Sequence, residues 1–146
     1  MNTNNTDSKY IEWISAEEMH EVTKQWLSDL KFIADEQKFF QDLIKNYTIQ
    51  LVDKSVFADT KVTIDALEKS KNKTKNLLAA IKRHGNDLEI LVDGIDQLKE
   101  EKTYKKKHRE FISLMSAFFI EYQTLKTQLF LIVKKALKKE NQQRLL

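Results

Sequence analysis

The sequence contains no cysteine and no proline, and only two of its 146 residues are glycine. Without cysteine the chain can form no disulfide and offer no thiolate for catalysis or metal binding, and it suits a reducing compartment. Turns draw heavily on proline and glycine, and a sheet protein needs many of them. Their scarcity argues against a turn-rich β-fold and for a few long helices. No run is cleanly apolar either. The richest window, Phe111 to Val133, carries Glu121, Lys126, Gln123 and Gln128. Burying those charges in a bilayer would be costly, so the window reads as a buried helix of a soluble protein, with no membrane insertion. The first ten residues, MNTNNTDSKY, lack the apolar core of a signal peptide. A cytoplasmic protein is the resulting expectation.

What remains is 41% apolar and 32% charged residues, with a formal net charge of +3. That mixture covers a core and keeps a surface wet in a chain of single-domain size. The charge is uneven. Residues Ala16 to Asn46 hold four lysines against seven acids, whereas Glu101 to Leu146 hold eleven lysines and arginines against four acids. The first and last helical stretches are therefore electrostatically complementary.

Residues 1–12 read as a flexible tail and 13–146 as one helical-bundle domain. Ser15 with Glu18 three residues on makes a capping box, with Ile14 and Met19 at the flanking staple positions. The stripe Met19, Val22, Trp26, Leu30, Ile33, Phe40, Leu43, Ile44 and Tyr47 then repeats at helical spacing. Lys24, Lys31, Lys38 and Lys45 mark the opposite, solvated face. This first helix spans about 31 residues, roughly 46 Å. The irregular connection 47–59 has room for a short fourth helix. A second helix begins near Asp59 or Thr60 and carries Ile64, Leu67, Thr74, Leu78, Ile81, Leu88, Val92 and Ile95, with Lys71 and Gly85 filling seam positions. The alternative is a break at His84-Gly85-Asn86-Asp87, with Asn86 capping a new helix. The heptad frame passes through Gly85 unchanged, which predicts one continuous helix of about 40 residues, bent at that glycine. The frame resets within GIDQLKEEKT, which places the reversal near 98–103. The last helix then runs from about Thr103 to Lys139 along Tyr104, His108, Phe111, Met115, Phe118, Tyr122, Leu125, Leu129 and Val133. Its Lys134, Lys135, Lys138 and Lys139 would suit the negative end of the helix dipole. The fold class is all-α, an antiparallel bundle of three long helices.

Candidate chemistry is sparse. Three histidines are present, but the Glu-x-x-His spacing occurs once, at Glu17 and His20, where a carboxylate-bridged metal bundle needs it on two helices, and there is no His-Glu-x-x-His. With the reversal near residue 100, His20, His84 and Glu121 fall at one height. His108 falls about 15 Å away, outside that layer, as a satisfied histidine at the core edge. Glu36 lies beside the first stripe and needs a partner if it is buried. Lys126 is the expected one. The run Lys105-Lys106-Lys107-His108-Arg109 supplies phosphate contacts in principle, but Glu101 and Glu110 flank it and no recognition motif accompanies it. There is no phosphate-cradling loop and no nucleophile motif.

No catalytic, cofactor-binding or metal-ligating residue is assigned, and enzyme activity is not expected. The third helix is apolar on more than one side, through Ile112, Leu114, Phe119, Ile120, Phe130, Leu131 and Ile132. One partner face cannot cover that girth, and several exposed large side chains are an aggregation hazard. The pattern resembles small helical-bundle proteins in general. It predicts an interaction or structural module that forms a homodimer, or binds a protein partner, through the third helix. The competing readings are a basic binder of nucleic acid or acidic surfaces and a metal- or small-ligand-binding bundle.

Overall fold

The computed structural model describes residues 14–47, 57–94 and 98–145, all but a few of them helical and none in a strand. Helix α1 covers Ala16–Asn46, α2 covers Phe57–Asp93 and α3 covers Leu98–Leu145. Residues 1–12 lie outside the described residues. The candidate fourth helix falls mostly on 48–56, also outside them, and Phe57 to Asp59 belong to α2.

Helix α1 starts where the capping signal puts it. The Glu18 N–H donates to Ser15 Oγ at 3.1 Å, and the Met19 N–H donates to the Ser15 carbonyl at 3.0 Å. The first bond satisfies one of the orphan donors of the first turn, and the second is the first intrahelical bond. Ile14 and Met19 are both fully buried and join one apolar cluster, as a hydrophobic staple requires.

Helix α2 passes through Gly85 without a break. Its end corrects the expected reversal. The helix stops at Asp93, the Gly94 N–H donates to the Leu91 carbonyl at 3.3 Å, and α3 is already under way at Leu98. Glycine is the preferred residue just past a helix end, and Gly94 is the second of the chain's two. Glu100 and Glu101 then fall in the first turn of α3, where carboxylates favour the positive end of the dipole. At the other end α3 continues to Leu145. Lys134, Lys135, Lys138 and Lys139 therefore sit inside the helix and do not cap it.

Contacts group the chain into two units, each containing a stretch of all three helices: Met1–Lys31 with Asn76–Phe118, and Phe32–Lys75 with Phe119–Leu146. In unit 1, Ile14, Met19, Leu88 and Leu91 form the apolar centre, flanked by Tyr104 and Ile112. In unit 2 the core contains Ile33, Phe40, Leu67, Leu125 and Leu129. In both units α2 runs antiparallel to α1 and α3, so the three helices form an antiparallel bundle.

The seam of α2 is more polar than its apolar stripe suggests. Thr60, Thr63, Ser70, Thr74 and His84 are buried, whereas Lys71 reaches out to Gln41 Oε1 at 2.6 Å. In unit 2 the Gln37 amide, itself buried, donates to Ser70 Oγ at 2.9 Å and to Thr74 Oγ1 at 3.0 Å. Thr74 Oγ1 donates in turn to the Ser70 carbonyl at 2.9 Å. A buried amide matched this way ties α1 to α2 at one register, because a slip would strand its donors.

In unit 1, a Cβ built on Gly85 would meet Thr23 Cγ2 at 3.4 Å and nothing closer. The glycine is therefore a propensity cost with little steric need behind it. Gly85→Ala is expected to stabilise the fold by about 0.5–1 kcal/mol, read as a higher urea midpoint at unchanged slope. A destabilisation of similar size would show that the Thr23 contact has no slack.

Candidate functional site

In unit 1, His84 of α2 and His108 of α3 meet, with Nε2 and Nδ1 3.0 Å apart. Both rings are withdrawn from water, at 2% and 0% exposure. Their planes stack at a centroid distance of 5.3 Å. Trp26 of α1 stacks on His108 at 4.9 Å, and Phe111 lies 4.9 Å from His84. This corrects the expected layer. A hairpin pairs residues equidistant from its reversal, so moving the reversal from about residue 100 to about 96 moves the partner of His84 by some eight residues, or about 12 Å. His108, placed too far away by the sequence reading, is the partner. Glu121 belongs to unit 2, where it pairs with Lys73 at 2.9 Å. Among the described residues no three His, Asp or Glu side chains come together to hold a metal ion.

The pair is not a fully satisfied one. His84 Nδ1 and His108 Nε2 are buried with no hydrogen-bond partner among the described residues. Burial pushes the His84 imidazole down to about 4, with Asp87 opposing the shift and Lys107 adding to it. Burial, then the neighbouring His84, pushes His108 down to about 4 as well. Both rings are neutral at pH 7. An open groove of about 320 Å³ lies beside His84, lined by Arg83, Asp87, Lys107, Glu110, Ala80 and Phe111.

The basic run of α3 is partly engaged in the same unit. Lys105 pairs with Glu101 at 3.4 Å, the Lys107 ammonium stands 5.6 Å from the Tyr104 ring centroid, and His108 is buried. Lys106 and Arg109 are exposed. One helix interleaves its charges between core and surface, so five consecutive residues do not make one basic face.

Unit 2 holds the pair expected from the sequence. Lys126 Nζ lies 2.8 Å from Glu36 Oε2, with the two side chains 25% and 20% exposed. The Tyr122 hydroxyl donates to Glu36 Oε1 at 3.2 Å. Burial, then the Glu36 carboxylate, raises the Tyr122 phenol above its usual range. This triad ties α1 to α3 just beside a surface of a different kind. Phe32 and Phe39 on α1 are 63% and 58% exposed, and Phe130 and Leu137 on α3 are 53% and 42% exposed. Phe39 meets Phe40 edge-on at 5.9 Å, and Phe40 meets Phe130 edge-on at 5.0 Å. The exposed rings of Phe39 and Phe130 therefore flank one buried ring, Phe40, from the two helices. Half-buried Leu43 and Phe119 lie along the same two flanks. The surplus expected on the third helix is real for Leu114, Ile120, Phe130 and Leu131, all exposed, while Ile132 is buried in the core. The contribution of α1 to this face was not anticipated. Phe32 and Phe39 lie off its buried stripe, and their seven-residue spacing is the signal that reveals it.

Glu36→Ala leaves Lys126 and Tyr122 without their shared acceptor. It is expected to cost about 1–2 kcal/mol in urea unfolding, with Tyr122→Phe costing about 1 kcal/mol. In the Glu36→Ala background Tyr122→Phe should cost clearly less than it does alone. Full additivity of the two changes would show that the triad is not one network. Compared with known proteins, the chain matches no family model, no curated protein and no solved structure.

Proposed function

We propose that this chain is a non-enzymatic helical module that works by self-association, and that the exposed α1–α3 face of unit 2 seats a second copy. The observation that carries the reading is that four large exposed apolar side chains, Phe32 and Phe39 on α1 and Phe130 and Leu137 on α3, border one seam, with Phe39 and Phe130 packed on the same core ring, Phe40. Those four leave on the order of 400 Å² of apolar surface in water per copy. A patch of that size is within the range of the largest apolar patch on a monomer, and such patches are often functional. It amounts to about half of what a standard interface buries per partner, and Leu43, Phe119 and the charged rim supply the remainder.

Charge selects a second copy over a generic apolar partner. On α1 the exposed residues outside Phe39 include Asp35 and Asp42. On α3 those outside Phe130 and Leu137 include Lys134 and Lys138. The face thus has an acidic edge on one helix and a basic edge on the other. A twofold axis running along the helices lays α1 of each copy over α3 of its partner. The aromatic stripes then meet at the centre and unlike charges meet at the rim. Such an isologous contact closes on itself and leaves no free apolar edge for further growth. Aromatic centres with charged rims are the usual anatomy of specific interfaces. No helix among the described residues is long and apolar enough to cross a membrane. We place the module in the cytoplasm, which suits a chain without cysteine.

Sedimentation equilibrium from about 1 to 50 µM is expected to give a dimer. Phe39→Glu should shift it to monomer while leaving the helical circular dichroism unchanged. Asp42→Lys and Lys134→Glu should each raise the dissociation constant several-fold, and the two together should restore it. A monomer throughout the concentration range would refute the reading. Dimers insensitive to all three variants would move the contact to another face.

A further inference from the structure

We propose that His84 and His108 form a proton-operated latch in unit 1, closed by one N–H···N bond while both rings are neutral and opened when they take up protons. The proposal rests on counting protons at four ring nitrogens. Two neutral imidazoles carry two N–H groups. One of them bridges Nε2 of His84 and Nδ1 of His108, 3.0 Å apart. The other must sit on His84 Nδ1 or on His108 Nε2, both buried and without a partner among the described residues. The closed state therefore already carries one unsatisfied donor and one unsatisfied lone pair.

A first added proton keeps the bridge but turns both outer nitrogens into donors with nothing to donate to, on a charge held out of water. A second places N–H against N–H across the 3.0 Å gap and removes the bridge altogether. Each step is disfavoured while the rings stay buried and becomes favourable once they reach water. Their surroundings offer little relief. From α1 the pair meets the uncharged Trp26 ring. From α3 come Phe111 and the Lys107 ammonium, which opposes protonation, with Glu110 across the groove. From α2 come Asp87, which favours protonation, and Arg83. The direction follows from the folded rings' values near 4, against about 6.5 for a free imidazole. The contribution of the pair to stability is whole above pH 6.5 and is lost as pH falls from there towards 4. Two histidines act in the same contact, so the response is steeper than that of one. Between pH 6.5 and 5 the opening constant rises with a slope approaching about 100-fold per pH unit, in a range where aspartates and glutamates are still mostly ionised.

The test is amide hydrogen exchange by NMR on the full chain, with histidine labelled in its ring, from pH 7 to 4.5. Exchange rates are corrected for their intrinsic pH dependence. The expected result is neutral rings at pH 6.5, followed by ring protonation together with loss of protection at Leu88 and Met115. The double variant His84→Leu/His108→Met replaces both partners by apolar groups and should hold protection flat across pH 6.5 to 5, while His20→Gln keeps the wild-type slope. Rings that take up protons near pH 6.5 with protection intact would overturn the latch. So would protection that does not change between pH 6.5 and 5, or a double variant that keeps the wild-type slope. If the double variant does not fold, the coincidence of ring protonation and opening in the wild type decides alone.

Discussion

The position of one chain reversal governs the chemistry of unit 1. A helix advances 1.5 Å per residue with little freedom to stretch, so the place where α2 turns into α3 settles which side chains face each other. Gly94 ends α2, and α3 has begun by Leu98. His84 and His108 are each about a dozen residues from that point. They meet because the count is equal on both sides. A reversal a few residues later would set different residues against His84 and leave each imidazole buried alone, or exposed. The cost of an unpaired buried polar group is what makes this register matter.

The polar groups buried in this protein act as selectors of alignment more than as sources of stability. In unit 2 the Gln37 amide finds two hydroxyls on α2, and the Glu36 carboxylate finds Lys126 and Tyr122 on α3. Apolar stripes alone tolerate sliding by a heptad, because one leucine replaces another. A carboxylate or an amide does not. Replacing such groups with apolar side chains is often neutral for stability, which makes alignment the better account of their presence. In the Gln37 cluster the donors are matched by acceptors. The imidazole pair of unit 1 keeps two nitrogens unmatched among the described residues, which is the ground for the proton sensitivity proposed for it.

Signals that depend on neighbours in the chain were legible from the amino-acid sequence. The Ser15 cap, the continuity of α2 through Gly85 and the buried stripe of α3 all follow from spacings of three and four residues. The Glu36–Lys126 pair was legible for a different reason. A carboxylate beside a core needs a cation, and Lys126 stands next to a core leucine. The imidazole pair was not legible, because it depends on the length of a polar connection that carries no periodicity. Gly94 is the available signal, but the polar stretch after it has no phase to mark where the next helix begins. The hydroxyl-lined seam of α2 was also hidden. Threonine and serine read as surface until a buried glutamine is known to face them. The α1 part of the apolar face was overlooked because Phe32 and Phe39 fall outside the stripe that marks the core.

The arrangement of the four side chains Phe32, Phe39, Phe130 and Leu137 makes sense if water does not stay on them. Isotope-filtered NOE spectroscopy on an equimolar mixture of labelled and unlabelled chains looks at that face directly, since only contacts between copies survive the filter. The account predicts cross-copy signals linking the Phe39 ring to Phe130 and Leu137. Cross-copy signals confined to other residues, or none at all at millimolar concentration, would contradict it.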